Sequence, residues 1–173
     1  MSLQAPFNLN TWIEEHRDLL RPPVGNAKVF EDGDFIIMVV GGPNSRKDYH
    51  FNHGQEFFYQ LEGDITVKVI DNGTPRDIHV RQGDVFLLPG EVPHSPQRPA
   101  NTVGIVIERK RQPEELDAFQ WYCENCGTKL YEEFLPLKDI VKELPPLFQR
   151  FYGDVNKRTC ASCGTIMEPP ASL

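Results

Sequence analysis

HFNHGQEFFYQLEGDITVKVIDNGTPRDIHVRQGDVFLLPGEVPHSPQRP, residues 50–99, is the stretch that decides the fold. Its apolar runs are short: EFFYQLEG (56–63), DITVKVID (64–71), RDIHV (76–80) and DVFLLP (84–89). Turn residues punctuate them, and Asp71-Asn72-Gly73 is a hairpin signal because Asn and Gly tolerate positive φ. Two further runs flank the stretch, DFIIMVV (34–40) and TVGIVIE (102–108). Short strands at this spacing, with no helical period between them, predict an all-β sandwich or barrel from Lys28 to Glu108.

Outside that region the pattern changes. TWIEEHRDLL (11–20) reads as a short helix capped by Asn10 or Thr11, with Glu14 and Glu15 near its positive end and Pro22-Pro23 stopping it. QPEELDAF (112–119) reads as a linker or short helix, and PLKDIVKELPPLFQRFYGD (136–154) as a helix broken at Pro145-Pro146. No internal repeat is present. The expected organisation is a barrel with an N-terminal helical extension over 1–112, followed by a C-terminal helix and cysteine ribbon over 113–173.

The 173 residues carry a net charge of −7 and no Lys/Arg-rich run, so a phosphate backbone or anionic membrane surface would be repelled. No apolar run approaches the ~20 residues that span a bilayer, and the N-terminus lacks a basic start and an apolar core. Nucleic acid and membrane are therefore not expected partners, and a cytoplasmic location is expected. In a reducing compartment, four cysteines in paired CxxC spacing read as metal ligands rather than disulfides.

Those pairs are Cys123/Cys126 in YCENCG and Cys160/Cys163 in TCASCG. Each CxxC makes a tight turn with two thiolates facing one ion, so two turns 33 residues apart can close a four-sulfur tetrahedron. The glycine ending each motif lets backbone amides turn toward metal-bound sulfur, as in rubredoxin-like knuckles. A thioredoxin-like dithiol is the competing reading, but one CxxC would suffice for it, opening a helix after a strand. A closed shell is structural, and iron or zinc would satisfy it.

A second constellation lies in the strand region. His50 precedes Glu56 and Gly63, and Gly83 precedes Pro89 and His94, a layout that resembles the two cupin motifs. The resemblance implies a double-stranded β-helix, or jelly-roll, barrel in which His50, Glu56 and His94 point into the mouth. Two departures stand out: Asn52 occupies the place of a common second histidine, and Glu91 stands where glycine is expected. With one histidine fewer, His50, Glu56 and His94 form the facial triad of a non-haem Fe(II) oxygenase. His53 offers a rival HxxH pairing with His50, but on a strand the two would lie on opposite faces, so a loop position is expected. His16 and His79 read as surface residues.

RPPVGN, VVGGPNSRKDYH, EFFYQLEG, FLLPGEVPHSPQRP and IVIERKR together resemble the 3-hydroxyanthranilate 3,4-dioxygenase family of cupins; WYCENC, LPPLF and KRTCASC extend the likeness nearly to the end. That resemblance implies extradiol cleavage of 3-hydroxyanthranilate with O2. The product would be 2-amino-3-carboxymuconate semialdehyde, which closes without an enzyme to quinolinate. It also implies roles: Arg98 for the substrate carboxylate, Glu108 for the polar ring substituents, Arg46 on the O2 side of the iron, Glu56 for both iron and substrate, and Asn26 in the pocket. A planar carboxylate is best matched by a guanidinium fork. Ribbon-bearing members imply a homodimer. The rival readings are an oxygenase or isomerase of another small aromatic acid, and a non-catalytic sensor or storage cupin.

Overall fold

The computed structural model describes residues 3, 5–22, 25–138 and 140–170. Among them, eleven strands form two sheets, and all six strand runs read from the sequence are present. The first sheet has the order β1 (Asn26–Lys28), β2 (Phe35–Gly41), β9 (Val103–Arg109), β4 (Glu56–Glu62) and β7 (Val85–Leu88). The second runs β11 (Lys129–Leu135), β10 (Asp117–Tyr122), β3 (Asp48–Phe51), β8 (His94–Gln97), β5 (Ile65–Asp71) and β6 (Thr74–Val80). The chain is all-β, built on two sheets, as expected of a sandwich or barrel.

Alternation places the barrel core. Val67 and Val69 on β5, Phe58 on β4 and Val106 on β9 turn inward with Ile65, Val80 and Leu88. The β5–β6 hairpin closes where Asn72 (φ 49°) and Gly73 (φ 80°) take the left-handed conformation, pairing Asp71 with Thr74.

Three expectations shift at the ends. Helix α1 spans Leu9–Glu15 and is capped by Asn8, whose side chain accepts from the Thr11 amide at 3.0 Å, so the cap lies ahead of Asn10 and Thr11. The chain then makes a 3-10 turn over Arg17–Leu20, leaving the helix before Pro22; Pro23 lies outside the described residues. QPEELDAF is neither linker nor helix at its end, because β10 begins at Asp117 and pairs with β3. The sheet is thus continuous past residue 112.

Helix α2 (Ile140–Tyr152) runs unbroken through Pro145 and Pro146. Both prolines are exposed, on the face of the helix turned away from the core. Burial of the opposite face overrides the cost: Leu147 and Phe151 are fully buried against Trp121 of β10, and the Trp121 and Phe151 rings stack at 4.3 Å. Helix α3 (Val155–Arg158) follows, capped by Asp154. No helix among the described residues is long and apolar enough to cross a membrane.

Candidate active site and thiolate centre

The two sheets meet at the site from opposite sides. His50 and His94 are cross-strand partners on β3 and β8, while Glu56 and Glu108 are cross-strand partners on β4 and β9. All four are buried. Ligand atoms of His50, Glu56 and His94 all lie within 4.8 Å of one another, the donor set of a metal ion with open positions.

Hydrogen bonds fix which nitrogen each imidazole offers. His94 Nδ1 lies 3.0 Å from the Val92 carbonyl, so Nε2 faces Glu56 Oε1 at 3.2 Å. His50 Nε2 lies 2.6 Å from Asp117 Oδ2, leaving Nδ1 toward Glu56 at 3.6 Å. Burial pulls the His50 imidazole down, but the bonds to Asp117 and then Glu56 outweigh it and hold it at about 9. Burial pushes the Glu56 carboxyl up; His94 and His50 overcome that and keep it well below the usual carboxylate range. Three buried polar groups that converge in this way fit a cation.

Asn52, the cupin departure, has a place in this geometry. Its amide donates to Glu56 Oε1 at 2.9 Å and Glu108 Oε2 at 3.1 Å, bridging two carboxylates that face each other across the β4–β9 pair. Burial, and then the Glu56 charge, push Glu108 above its ordinary value, with Arg111 opposing. Glu91 holds φ 64°, the conformation a glycine would take, and its carboxylate meets His53 Nδ1 at 3.0 Å. His53 therefore lies outside the triad, half exposed, as the loop reading predicts.

Arg98 is 4 % exposed, yet among the described residues no carboxylate lies within ion-pair distance of it. Its Nη1 reaches only the amide oxygen of Gln60, at 3.4 Å. Gly104 makes that room: a Cβ there would stand 2.6 Å from Gln60 Oε1 and 3.2 Å from Arg98 Nη1. Burial and then repulsion from Arg46 lower Arg98 to about 10. Burying a cation without a carboxylate partner costs several kcal/mol.

Arg46 lies in the segment before β3, its Nη2 held 2.5 Å from the buried Asp48. Asn26 sits half-buried on edge strand β1, level with Val40 and, one strand further, Gly104. Sequence reasoning passed over Asp117 and Arg111. The signal available for Asp117 was a carboxylate opening the aromatic run DAFQWY.

The cysteine pairs also converge. All four Sγ atoms lie within 4.8 Å of one another, with Cys123–Cys163 at 3.6 Å and Cys126–Cys160 at 3.5 Å. The two knuckles match: the Gly127 and Gly164 amides donate to the Cys123 and Cys160 carbonyls, and both glycines have φ 73°. The Thr165 hydroxyl and amide pull the Cys163 thiol down to about 5. Four sulfurs so placed fit one tetrahedral ion.

A family model described as 3-hydroxyanthranilic acid dioxygenase matches residues 1–152. The chain belongs to this family. A 3-hydroxyanthranilate 3,4-dioxygenase of Xanthomonas euvesicatoria pv. vesicatoria is 58 % identical over 168 residues, covering 97 % of this chain and 95 % of the relative. One from Jannaschia sp. is 50 % identical over 174 residues, covering 98 % and 97 %. Likeness to these dioxygenases thus takes in both cysteine pairs, of which Cys160 and Cys163 lie beyond the segment that the family model matches. Among solved structures, a cupin-2 domain protein from Shewanella frigidimarina is similar with a TM-score of 0.47 and 17 % identity, over 57 % of this chain and 92 % of that one.

Proposed function

We propose that this chain is a non-haem Fe(II) extradiol dioxygenase that cleaves 3-hydroxyanthranilate with O2 to 2-amino-3-carboxymuconate semialdehyde, the precursor of quinolinate. Family membership supports the reaction, and the observation that carries the substrate is the buried, carboxylate-less Arg98 in the same barrel as the triad. In this reading His50, Glu56 and His94 hold Fe(II), which supplies the means of bringing O2 and an electron-rich ring together.

The chain's own groups do the rest. Arg98 takes the substrate carboxylate through two parallel N–H donors, which replaces the weak Gln60 contact and orients the ring. Glu108 faces the hydroxyl and amino substituents. Its contacts with Asn52 and Arg111 both fall on Oε2, so Oε1 is the atom offered to accept a substrate proton. Arg46, held by Asp48, lies on the O2 side, where a fixed cation stabilises negative charge as it develops. Asn26 lines the pocket.

The four cysteines hold a second ion, iron or zinc, that staples β10 to the C-terminal segment. We place the protein in the cytoplasm, where thiols stay reduced. A homodimer is proposed through the outer face of the first sheet, where Phe35, Tyr59, Val85 and Leu87 are 59, 37, 63 and 54 % exposed. The test of function is anaerobic Fe(II) loading followed by O2 uptake with a panel of aminophenols and catechols. Preference for 3-hydroxyanthranilate is expected. A preference for a catechol or 2-aminophenol would favour another aromatic oxygenase.

A further inference from the structure

A third guanidinium, Arg111, stands in the loop between β9 and β10, and the assignments above leave it without a role. Its side chain is 14 % exposed, and it forks onto Asp117, with Nε 2.9 Å from Oδ1 and Nη2 2.7 Å from Oδ2. On its other side Nη1 meets Glu108 Oε2 at 2.8 Å. Asp117 is itself the partner of His50 Nε2, and Glu108 shares the Asn52 amide with Glu56. A ring therefore runs from His50 through Asp117, Arg111, Glu108, Asn52 and Glu56 back to His50.

Its physical sense lies in charge and geometry. Asp117 and Glu108 are both nearly fully buried, and Arg111 is the cation that touches each. Only a planar guanidinium can give a two-pronged contact to one carboxylate and a further donor to another without moving. The Arg111–Asp117 fork points the Asp117 oxygen at His50, and that bond sets the imidazole orientation and which nitrogen it offers. The same side chain pins Glu108 Oε2, leaving Oε1 outside both the Arg111 and the Asn52 contacts.

We infer that Arg111 is a positioning residue that couples the two halves of the site: through Asp117 it orients the metal-holding His50, and directly it places the substrate-facing Glu108. The inference rests on the proposed roles of His50 and Glu108. A clamp that merely fixed the β9–β10 loop would change folding stability alone.

The discriminating experiment measures Fe(II) affinity by competition with a chromophoric chelator, on protein whose thiolate centre is filled, beside kcat and KM at saturating Fe(II). Arg111→Gln is expected to weaken Fe(II) binding by about 10- to 100-fold, the usual effect of losing a partner behind a metal ligand. It should also lower kcat/KM separately. In an Asp117→Asn background, Arg111→Gln should cost no further Fe(II) affinity; in a Glu108→Gln background, it should cost no further turnover. Arg111→Lys keeps the charge but reaches one carboxylate, so it should recover one of the two losses and not both.

Native Fe(II) affinity in folded Arg111→Gln, or full additivity in both backgrounds, would overturn the coupling. If Arg111→Gln does not fold, Asp117→Asn carries the test, with the same loss of Fe(II) affinity expected and unchanged affinity overturning it. Failure of the native protein to turn over 3-hydroxyanthranilate would instead count against the proposed reaction. The Fe(II) arm reads independently of it.

Discussion

Replacing Arg98 by Met removes a buried cation with no carboxylate within ion-pair distance among the described residues, while keeping an unbranched apolar stem in its place. Truncating one partner of a buried, hydrogen-bonded charge pair costs about 2–5 kcal/mol. At about 1.4 kcal/mol per tenfold, that is roughly 30- to several thousand-fold in kcat/KM for 3-hydroxyanthranilate. Two features of the structure set the place within that range. Nearby Arg46 repels Arg98, so part of the lost attraction is repaid when the charge goes; and Gln60, 3.4 Å away, is a weak substitute partner, so little competes with substrate for the fork. A loss on the order of a hundredfold or more is expected.

The control substrate is 2-aminophenol, which has the same ring substituents without the carboxylate. Native enzyme should turn it over far more slowly than 3-hydroxyanthranilate, and Arg98→Met should narrow that gap by lowering the faster rate. Steady-state O2 uptake on both substrates, with Fe(II) content measured on each preparation, gives the ratio. Equal turnover of the two by native protein, or an unchanged ratio in the variant, would refute the carboxylate role and leave the buried guanidinium as a structural group.

Replacing His50, Glu56 or His94 by Ala should abolish Fe(II) retention at the barrel site and turnover together while circular dichroism stays native; near-normal iron in any of them would break the triad. Ser at Cys123 and Cys126 should remove about one metal per chain and lower the melting temperature, yet leave the rate within about tenfold of native once Fe(II) is restored. A background rate with the barrel site filled would show that the thiolate centre joins the chemistry. Fe(II) binding should depend on pH in a set direction: metal-free His50 holds its proton up to about 9, and Fe(II) must displace it, so affinity falls as pH drops below about 9, by up to tenfold per pH unit. The same raised value stabilises the metal-free fold fully below about 6.5 and loses that contribution as pH climbs toward 9. Flat Fe(II) affinity between pH 6 and 9 would contradict the protonated state.

Strands with one face in water were legible because alternation marks them: β4 and β5 show it over most of their length, and the Asn72-Gly73 turn fixes the register between β5 and β6. Strand β10 was missed because it is buried at five of its six positions, so no period of two appears in its sequence. With β10 went Asp117 and the Arg111 ring, which depend on a strand pairing that the linker reading did not contain. The helix over this segment was legible, but its continuity through Pro145-Pro146 was not. Local proline chemistry argued for a break, and the aromatic packing of Trp121 with Phe151 outweighed it. His50, Glu56 and His94 were found because metal-ligand spacing survives in the sequence even where β3 and β8, four residues each, are too short to announce themselves.

The most direct test of the central claim is a stoichiometric one. Protein loaded anaerobically with Fe(II) is mixed with 3-hydroxyanthranilate and O2, and O2 consumption is followed together with quinolinate accumulation, with Glu56→Ala in parallel. One O2 consumed per substrate, quinolinate as the end product and no turnover in the variant are the expected results. A filled His50, Glu56 and His94 site that binds 3-hydroxyanthranilate but consumes no O2 would contradict the account and mark the barrel as a binding module.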